Sequence, residues 1–310
     1  MPTAMITGAN AGLGFEISRQ LAEHGYTVIL ACRNEKKARA AVDRLVAVTG
    51  RPPKTFQIVP IDVSVPSSVR DAAHQVAPQQ LDVLVLNAGG PMQLTVGAHG
   101  VSATIATNAA GHVNLVDQLA ADGKFGDDAL VLYATSEAVR GAWLFGVPKA
   151  VLQFDTDEQV QRILRSEDVR GDAILGYSHA KAAGMLALNA LSRRHAGLTV
   201  VHVSPGATAG TEVARKGNRE SGMPMYMRTM LTSMSGFMLL LGFMHPLSTG
   251  ARRFTDVVAH PQDYEANGFY ASAWRAATTG AVAEQRALVP GMGDPAVEDR
   301  MLRQMQAAFL

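Results

Sequence analysis

A single cysteine, Cys32, stands in the 310-residue chain, so no internal disulfide can form and packing must hold the fold. An excess of charge is missing too. Lys and Arg total 28 against 27 Asp and Glu, a formal net charge of +1, which offers no basic face for nucleic acid and no pull toward acidic partners. Long apolar runs are absent. The stretch from Met230 to Met244 falls short of the ~18–20 residues of a membrane span, and Thr232, Ser233, Ser235 and Gly236 interrupt it. Met1-Pro2-Thr3 runs at once into apolar Ala4-Met5-Ile6, which predicts no leader peptide. With the lone thiol, this suggests a reducing, cytoplasmic setting. Neither repeats nor a low-complexity linker occur, so one domain over 1–310 is expected. What is abundant is apolar bulk. Hydrophobic residues make up 47% and charged ones 18%, ample for a large core and too apolar for disorder.

That bulk is distributed in a rhythm. Short apolar runs at Ala4–Thr7, Tyr26–Ala31, Thr55–Ile61, Leu81–Leu86, Ala129–Tyr133 and Leu198–Val203 read as strands. Helical patterns separate them, with Leu13, Ile17 and Leu21 sharing the face of the first. Further helices are expected over Glu35–Val48, Ser67–Val76, Val101–Leu119 and Gly176–Arg194. Strands apolar on both faces, alternating with helices, predict an α/β fold: a Rossmann-like, doubly wound parallel sheet with ligands at the carboxyl ends of its strands. Two stretches break the rhythm. An insertion over 141–175 carries one short amphipathic helix (Val160, Ile163, Leu164), and an excursion over about 207–247 has the place of a lid. A helix at Ala251–Ala259, an edge strand at Phe269–Ala271 and a helix from about Pro295 complete the expected elements.

The candidate sites fall at the predicted strand ends. Thr7-Gly8-Ala9-Asn10-Ala11-Gly12-Leu13-Gly14 joins the first strand to the first helix. Glycines there permit a tight turn and let the backbone approach a pyrophosphate, which the helix N-terminus stabilises. A glycine-rich loop alone also fits a flexible turn; its place after the first strand favours the dinucleotide. The second strand ends Ala31-Cys32-Arg33-Asn34, with no acid to take a ribose 2′-hydroxyl and with Arg33 able to fork onto a 2′-phosphate. NADP(H) is therefore expected over NAD, the alternative being an exposed arginine at the strand end. Asp62-Val63 and Asn87-Ala88-Gly89-Gly90 end the third and fourth strands, suited to an adenine amino group and to close backbone approach, though each is also ordinary turn chemistry.

Tyr177-Ser178-His179-Ala180-Lys181 lies on a predicted helix, where a spacing of four puts phenol and ammonium on one face. A lysine there is expected to lower the phenol's pKa and fit it for proton transfer to a substrate oxygen. Ser136, after the fifth strand, could steady that oxygen or simply cap a helix.

Taken together, the glycine loop, Asn87-Ala88-Gly89, Ser136, Tyr177/Lys181 and Ser204-Pro205-Gly206, in that order, resemble the short-chain dehydrogenase/reductase family from the first strand to about Ala271. The resemblance implies that Ser136, Tyr177 and Lys181 are catalytic. It nominates Asn108, in Thr107-Asn108-Ala109-Ala110-Gly111-His112, for a proton relay. Lys181 would also bind the cofactor, and residues after Pro205-Gly206 would contact the nicotinamide carboxamide. The usual threonine of that segment is replaced by Gly210, which leaves Thr208 or Thr211 to serve. Ala31–Asn34 and Asn108…His112 are similar to the branch of retinol dehydrogenases and light-dependent protochlorophyllide reductases. The Ser136–Tyr177 gap and Gly268-Phe269-Tyr270-Ala271-Ser272 are most similar to the second group. Ala183 stands where those photoenzymes carry a cysteine.

Half of the 14 methionines fall within Met223–Met244. Flexible, polarizable thioethers suit a bulky, apolar, irregular ligand, though a plain lid, an oligomer contact or a peripheral membrane contact would use them as well. The expected reaction is the interconversion of a ketone and a secondary alcohol on a large hydrophobic substrate. A light-driven tetrapyrrole reductase and a non-catalytic NADP(H)-responsive binding protein are the alternatives. Homo-oligomers are common in the family, and no metal is expected.

Overall fold

In a computed structural model, residues 1–78, 80–89, 92–141, 152–208, 244–274 and 278–309 are described. Eight strands form one sheet in the order β3-β2-β1-β4-β5-β6-β7-β8: β1 Thr3–Thr7, β2 Thr27–Cys32, β3 Phe56–Pro60, β4 Leu81–Leu86, β5 Phe125–Ala134, β6 Leu198–Val203, β7 Phe269–Ser272 and β8 Val282–Glu284. The first seven run parallel, with Ile6 beside both Leu30 and Val85, and Tyr133 between Leu86 and His202. The chain crosses from β3 to β4 over β1, the topological switch that opens a crevice at the carboxyl edge.

Strand residues alternate between two cores because both faces of the sheet are covered. Ala4, Ile6, Val83 and Val85 pack with helices α1 (Gly12–Glu23), α2 (Glu35–Thr49) and α7 (Leu247–Ala259). Met5, Leu84, Leu86 and Tyr133 face the helices of the other side. These are α3 (Pro66–Gln75), α4 (103–121), α5 (Asp157–Leu164), α6 (Ala173–Arg194) and α8 (Pro295–Phe309). Local chemistry sets the helix ends. Asn34 accepts from Lys37 N–H at 2.9 Å, and Gly50 closes α2 in the left-handed region. A capping box on Thr156 and Gln159 opens α5, which buries Val160, Ile163 and Leu164 as their spacing predicts. Among the described residues, no helix is long and apolar enough to cross a membrane.

Two expectations change. Phe269–Ser272 is not the edge of the sheet, because Val282–Glu284 pairs antiparallel outside it. That strand escapes a pattern search since three half-buried residues carry no periodicity. The central helix is also not uniform, for residues Ala106–Ala110 form a π-turn. Such a turn carries a residue beyond the regular helical count and disturbs the carbonyl ladder. The Asn108 carbonyl accepts from the Tyr133 hydroxyl across to the sheet.

Just past the π-turn, α4 approaches the loop after β3 so closely that a Cβ on Gly111 would lie 1.7 Å from the Val63 carbonyl oxygen. Gly111→Ala is therefore expected to destabilise the fold by about 2–3 kcal/mol. Urea unfolding should show a lower midpoint at an unchanged slope, and an unchanged midpoint would contradict the packing.

Candidate active site

Thr7 stitches the first part of the site. Its hydroxyl oxygen accepts from the backbone N–H groups of Asn87 and Ala88, both at 2.8 Å, and lies 3.3 Å from His112 Nε2. The Asn87 side-chain amide donates to the Thr7 carbonyl at 3.0 Å. These bonds bring the ends of β1 and β4 side by side, so that Gly8 to Gly14 and Asn87 to Gly89 share one surface. At Gly14 there is no room on it for a side chain. A Cβ on Gly14 would lie 2.5 Å from the Gly8 carbonyl oxygen and 2.6 Å from Asn87 Nδ2. Gly8 and Gly12 take φ of 69° and 54°, which a side chain would strain. Ala11 gives α1 no side-chain cap, and its first turn holds no acid, so the N–H groups there remain for an anion.

Further out, the Asp62 carboxylate accepts from the Ser64 N–H and hydroxyl at 3.0 and 2.6 Å. Its other oxygen lies 3.4 Å from Arg33 Nη1. The Arg33 side chain is 74% exposed, which leaves its fork accessible beside the end of β2. Val63 is buried, its carbonyl against Gly111, and Leu13 packs at the rim of the core. Cys32 is fully buried, and burial pushes its thiol up to about 11, against the Asn10 and Ala9 backbone N–H groups. It is a packed side chain. These bare backbones, the uncapped helix and the open arginine fit a dinucleotide phosphate.

The reactive groups gather at the ends of β5 and β6. The Ser136 hydroxyl caps the short turn Glu137–Val139, accepting from Ala138 N–H at 3.2 Å, and it acts on the Tyr177 phenol by favouring its ionised form. It thus serves as cap and site residue together. Lys181, one turn along α6, donates from Nζ to the Ala134 carbonyl at 2.8 Å. Its ammonium lies 4.9 Å from the centre of the Tyr133 ring and 5.6 Å from that of Tyr177. Burial pushes Lys181 down to about 7. Burial pushes Tyr177 up to about 12; the Ser136 hydrogen bond opposes this and the charge of Glu137 adds to it. The phenol is therefore raised, not lowered by the lysine as its spacing suggested, because the ammonium donates to the Ala134 carbonyl and the half-buried ring loses part of its water.

Asn108 is fully buried. Its amide donates to the Thr104 carbonyl at 3.0 Å, and its side-chain oxygen has no partner among the described residues. A Cβ on Gly89 would lie 3.3 Å from that oxygen. The expected relay water on Asn108 meets a competitor, since the Tyr133 hydroxyl already donates to its carbonyl. That hydroxyl sits so close to α6 that a Cβ on Gly184 would come within 2.4 Å of it.

Beyond β6, Gly206 turns with φ of 74°, and the Thr208 hydroxyl donates to the Gly206 carbonyl at 3.1 Å. Thr208 pairs with His245 in an isolated bridge, so the excursion leaves and re-enters the fold at one place. Pro205, Gly206 and Thr208 flank the reactive cluster. Thr211, Gly210 and the methionines of the segment before Met244 lie outside the described residues, as does Gly90. A cleft of about 360 Å³ lined by Phe125, Asp127, Arg194 and His195 opens at the amino ends of β5 and β6, remote from this chemistry. No cluster suited to a metal ion occurs among the described residues.

Three side chains that sequence reasoning passed over also belong here: Tyr133, Glu137 and Arg253. Glu137 is buried and holds Arg253 Nη1 at 3.4 Å and the Ser272 N–H at 3.2 Å. An acid three residues past the end of an apolar strand was the one available signal.

A doubly wound sheet binds its ligand at these strand ends, and the bare glycine loop and the Ser136–Tyr177–Lys181 cluster both lie at that edge. The family profile described as short chain dehydrogenase matches residues 2–141. The WW domain-containing oxidoreductase of Danio rerio is 30% identical over 218 residues, covering 68% of this chain and 50% of that protein. An uncharacterized protein of Mycobacterium paratuberculosis superposes with a TM-score of 0.68 at 23% identity, over 100% of this chain and 95% of the other. An actinorhodin polyketide ketoreductase solved with NADPH gives 0.59 at 21% identity, over 83% and 90%. The chain spans no more than half the length of the first curated relatives it matches. It belongs to the short-chain dehydrogenase/reductase family of oxidoreductases.

The buried lysine makes a pH prediction. Its folded value of about 7 lies below the ordinary 10.5, so between those values the unfolded chain binds the extra proton and stability rises with pH. Lys181→Met is expected to remove that rise. Thermal denaturation of both proteins at pH 6.5 and pH 9 should show the stability gap between them closing with acid-to-base titration, and a gap independent of pH would refute the buried ammonium.

Proposed function

We propose that this protein is an NADP(H)-dependent oxidoreductase of one domain, with an insertion over 141–175 and a lid over 207–247, that interconverts a ketone and a secondary alcohol on a bulky hydrophobic substrate. The observation that carries this reading is Lys181 Nζ 5.6 Å from the centre of the Tyr177 ring, one helical turn along, with the Ser136 hydroxyl favouring the phenolate of Tyr177. A proton donor and a second hydroxyl presented together suit a carbonyl oxygen that gains negative charge. When bound, the reduced nicotinamide supplies the hydride. Thr7 to Gly14 would hold the pyrophosphate, Arg33 the 2′-phosphate, Asp62 and Val63 the adenine, and Asn87 to Gly89 the adjacent ribose. Lys181 would hold the nicotinamide ribose, and Pro205, Gly206 and Thr208, with Thr211, the carboxamide.

The chain's own part in the reaction is brief. Ser136 fixes the carbonyl oxygen, and Tyr177 gives it the phenolic proton. Lys181, buried and close to neutrality in its ionisation, can return a proton toward the phenolate. Asn108 holds the π-turn beside it through Tyr133. The methionine-rich segment supports an apolar substrate, the alternatives being a lid without ligand contact or an oligomer surface. A cytoplasmic setting suits the lone buried thiol.

Tyr177→Phe is expected to leave NADPH binding, read by quenching of cofactor fluorescence, within about twofold, while reduction of the bicyclic ketone 1-decalone falls by about 10²–10⁴-fold. Full turnover would refute the catalytic assignment, and no turnover by the unaltered protein with any polycyclic ketone would favour the binding-protein reading. A change in absorbance only after a flash, with protochlorophyllide and NADPH present, would favour the light-driven one. Arg33→Ala should lower kcat/KM for NADPH by about 10–100-fold and leave that for NADH nearly unchanged. Equal losses for both would remove the case for the 2′-phosphate.

A further inference from the structure

A buried ammonium ordinarily takes an acid as its partner. Lys181 does not. It is 3% exposed, and among the described residues its Nζ meets neutral groups. It donates to the Ala134 carbonyl at 2.8 Å and lies over the Tyr133 ring, 4.9 Å from its centre. That separation is within the ~6 Å over which a ring's quadrupole attracts a cation. Two successive residues of β5 thus supply a carbonyl dipole and an aromatic face. The Tyr133 ring is itself fixed. Its hydroxyl donates to the Asn108 carbonyl in the π-turn. T-shaped contacts join it to the rings of His112 and His202, with centres 6.0 and 5.9 Å away. Gly184 of α6 leaves the hydroxyl its room, since a Cβ there would come within 2.4 Å of it. Tyr133 is fully buried, and both histidines are pushed down to about 3, chiefly by burial, so they stay neutral.

We propose that Tyr133 is a positioning residue whose ring face keeps the Lys181 ammonium charged without neutralising it, so that the charge is left for the phenolate formed on Tyr177. The inference rests on the oxidoreductase reading and gives a role to a residue outside the reacting groups. In reduction the carbonyl carbon gains a C–H bond with the hydride's electron pair, the Tyr177 O–H breaks, and the alcohol O–H forms. A phenolate is left, and an ammonium 5.6 Å from the centre of that ring stabilises it. A carboxylate on Lys181 would have offset this charge beforehand. A carbonyl dipole and a ring quadrupole attract the cation and carry no net charge. The Tyr133 proton is committed to the Asn108 carbonyl, and burial holds its phenol well above the usual range, so it stays neutral. Burial pushes Lys181 down to about 7, so a modest loss of attraction discharges it at neutral pH. The charged groups of the elements packed on α6 have partners of their own. Glu137, after β5, is bound to Arg253 and the Ser272 N–H. Glu298 of α8 is bound to Arg193 and Asn189. Asp168 lies 2.8 Å from Arg162, and Asp172 accepts from the first N–H groups of α6. Arg140 donates to the Ser272 carbonyl at 3.2 Å, and His179 is pushed down to about 4 by burial.

The test reads the Lys181 ammonium directly, without cofactor or substrate. The protein is grown on lysine carrying carbon-13 at Cε, and the Lys181 resonance is assigned by its loss in Lys181→Met. Position 133 is then varied through Tyr133→Phe, 4-fluorophenylalanine and 3,5-difluorophenylalanine. Fluorine drains the negative face of the ring and barely changes its shape. The Lys181 midpoint is expected to fall with each step of fluorination, by roughly one pH unit over the series. Tyr133→Leu, which removes the face, should lower it further than Tyr133→Phe, which keeps it. Where Tyr133→Phe does not fold, 3-fluorotyrosine at the same position keeps the hydroxyl on Asn108 and is compared with tyrosine, a fall again being expected. A midpoint indifferent to fluorine, or raised by it, overturns the proposal, because a ring that only fills space is blind to its own electrons. Full turnover by Tyr177→Phe would instead remove the oxidoreductase reading, and with it the phenolate that the charge serves, whatever the fluorine series shows.

Discussion

A buried ammonium bonded to a strand carbonyl fixes the geometry on which everything else depends. Lys181 Nζ reaches 2.8 Å from the Ala134 carbonyl oxygen, at the last residue of β5. That bond ties α6 to the sheet at the level where Ser136 begins its turn, so the helix can present Tyr177 only toward the serine. A charge held without water is unfavourable by itself. The Tyr133 ring beneath it, 4.9 Å away, and the carbonyl dipole compensate part of the cost. Burial of the ammonium brings its ionisation down to about 7.

Around this point, close approach replaces side chains. Gly111 admits the Val63 carbonyl, Gly184 admits the Tyr133 hydroxyl, and Gly14 admits Gly8 and Asn87. Each contact brings a helix nearer a strand or the loop past a strand end than a Cβ would allow. The first serves packing, the second gives the Tyr133 hydroxyl its place beside Asn108, and the third leaves a surface of bare backbone. Behind the cluster, His202 continues the polar interior. Its Nε2 lies 2.7 Å from the Asn189 side-chain oxygen, and Asn189 donates to Glu298 of α8 at 2.8 Å. The C-terminal helix is thus anchored to the sheet by hydrogen bonds as well as by Met301, Leu302 and Met305.

The sheet was legible because β1, β2, β4 and β6 are apolar on both faces, a pattern that few other structures produce. Of the candidate residues, Thr7, Gly8, Gly14, Asn87, Ser136, Tyr177 and Lys181 were readable from spacing and place at strand ends. Their pairings were not. Tyr133 looks like one more apolar strand residue, and nothing in Thr107 to His112 announces a π-turn that would give its hydroxyl a carbonyl. Glu137 and Arg253 lie far apart in sequence, and only the packing of α7 against the sheet brings them together. The sense of the Tyr177 perturbation was missed for a related reason. A spacing of four places an ammonium near a phenol but does not say that it points to Ala134, nor how much water either keeps. Val282–Glu284 was too short for any period to show.

In the proposed reaction Tyr177 and Ser136 face the carbonyl while the glycine loop holds the dinucleotide. The decisive experiment is a crystal structure with NADP⁺ and 1-decalol. Pyrophosphate is expected against the Gly8–Gly14 backbone, and the alcohol oxygen within ~2.6–3.2 Å of both the Tyr177 and Ser136 hydroxyls. Its carbinol carbon should lie ~3–3.5 Å from the nicotinamide ring. A nicotinamide bound away from Tyr177, or an alcohol oxygen out of reach of its phenol, would contradict it.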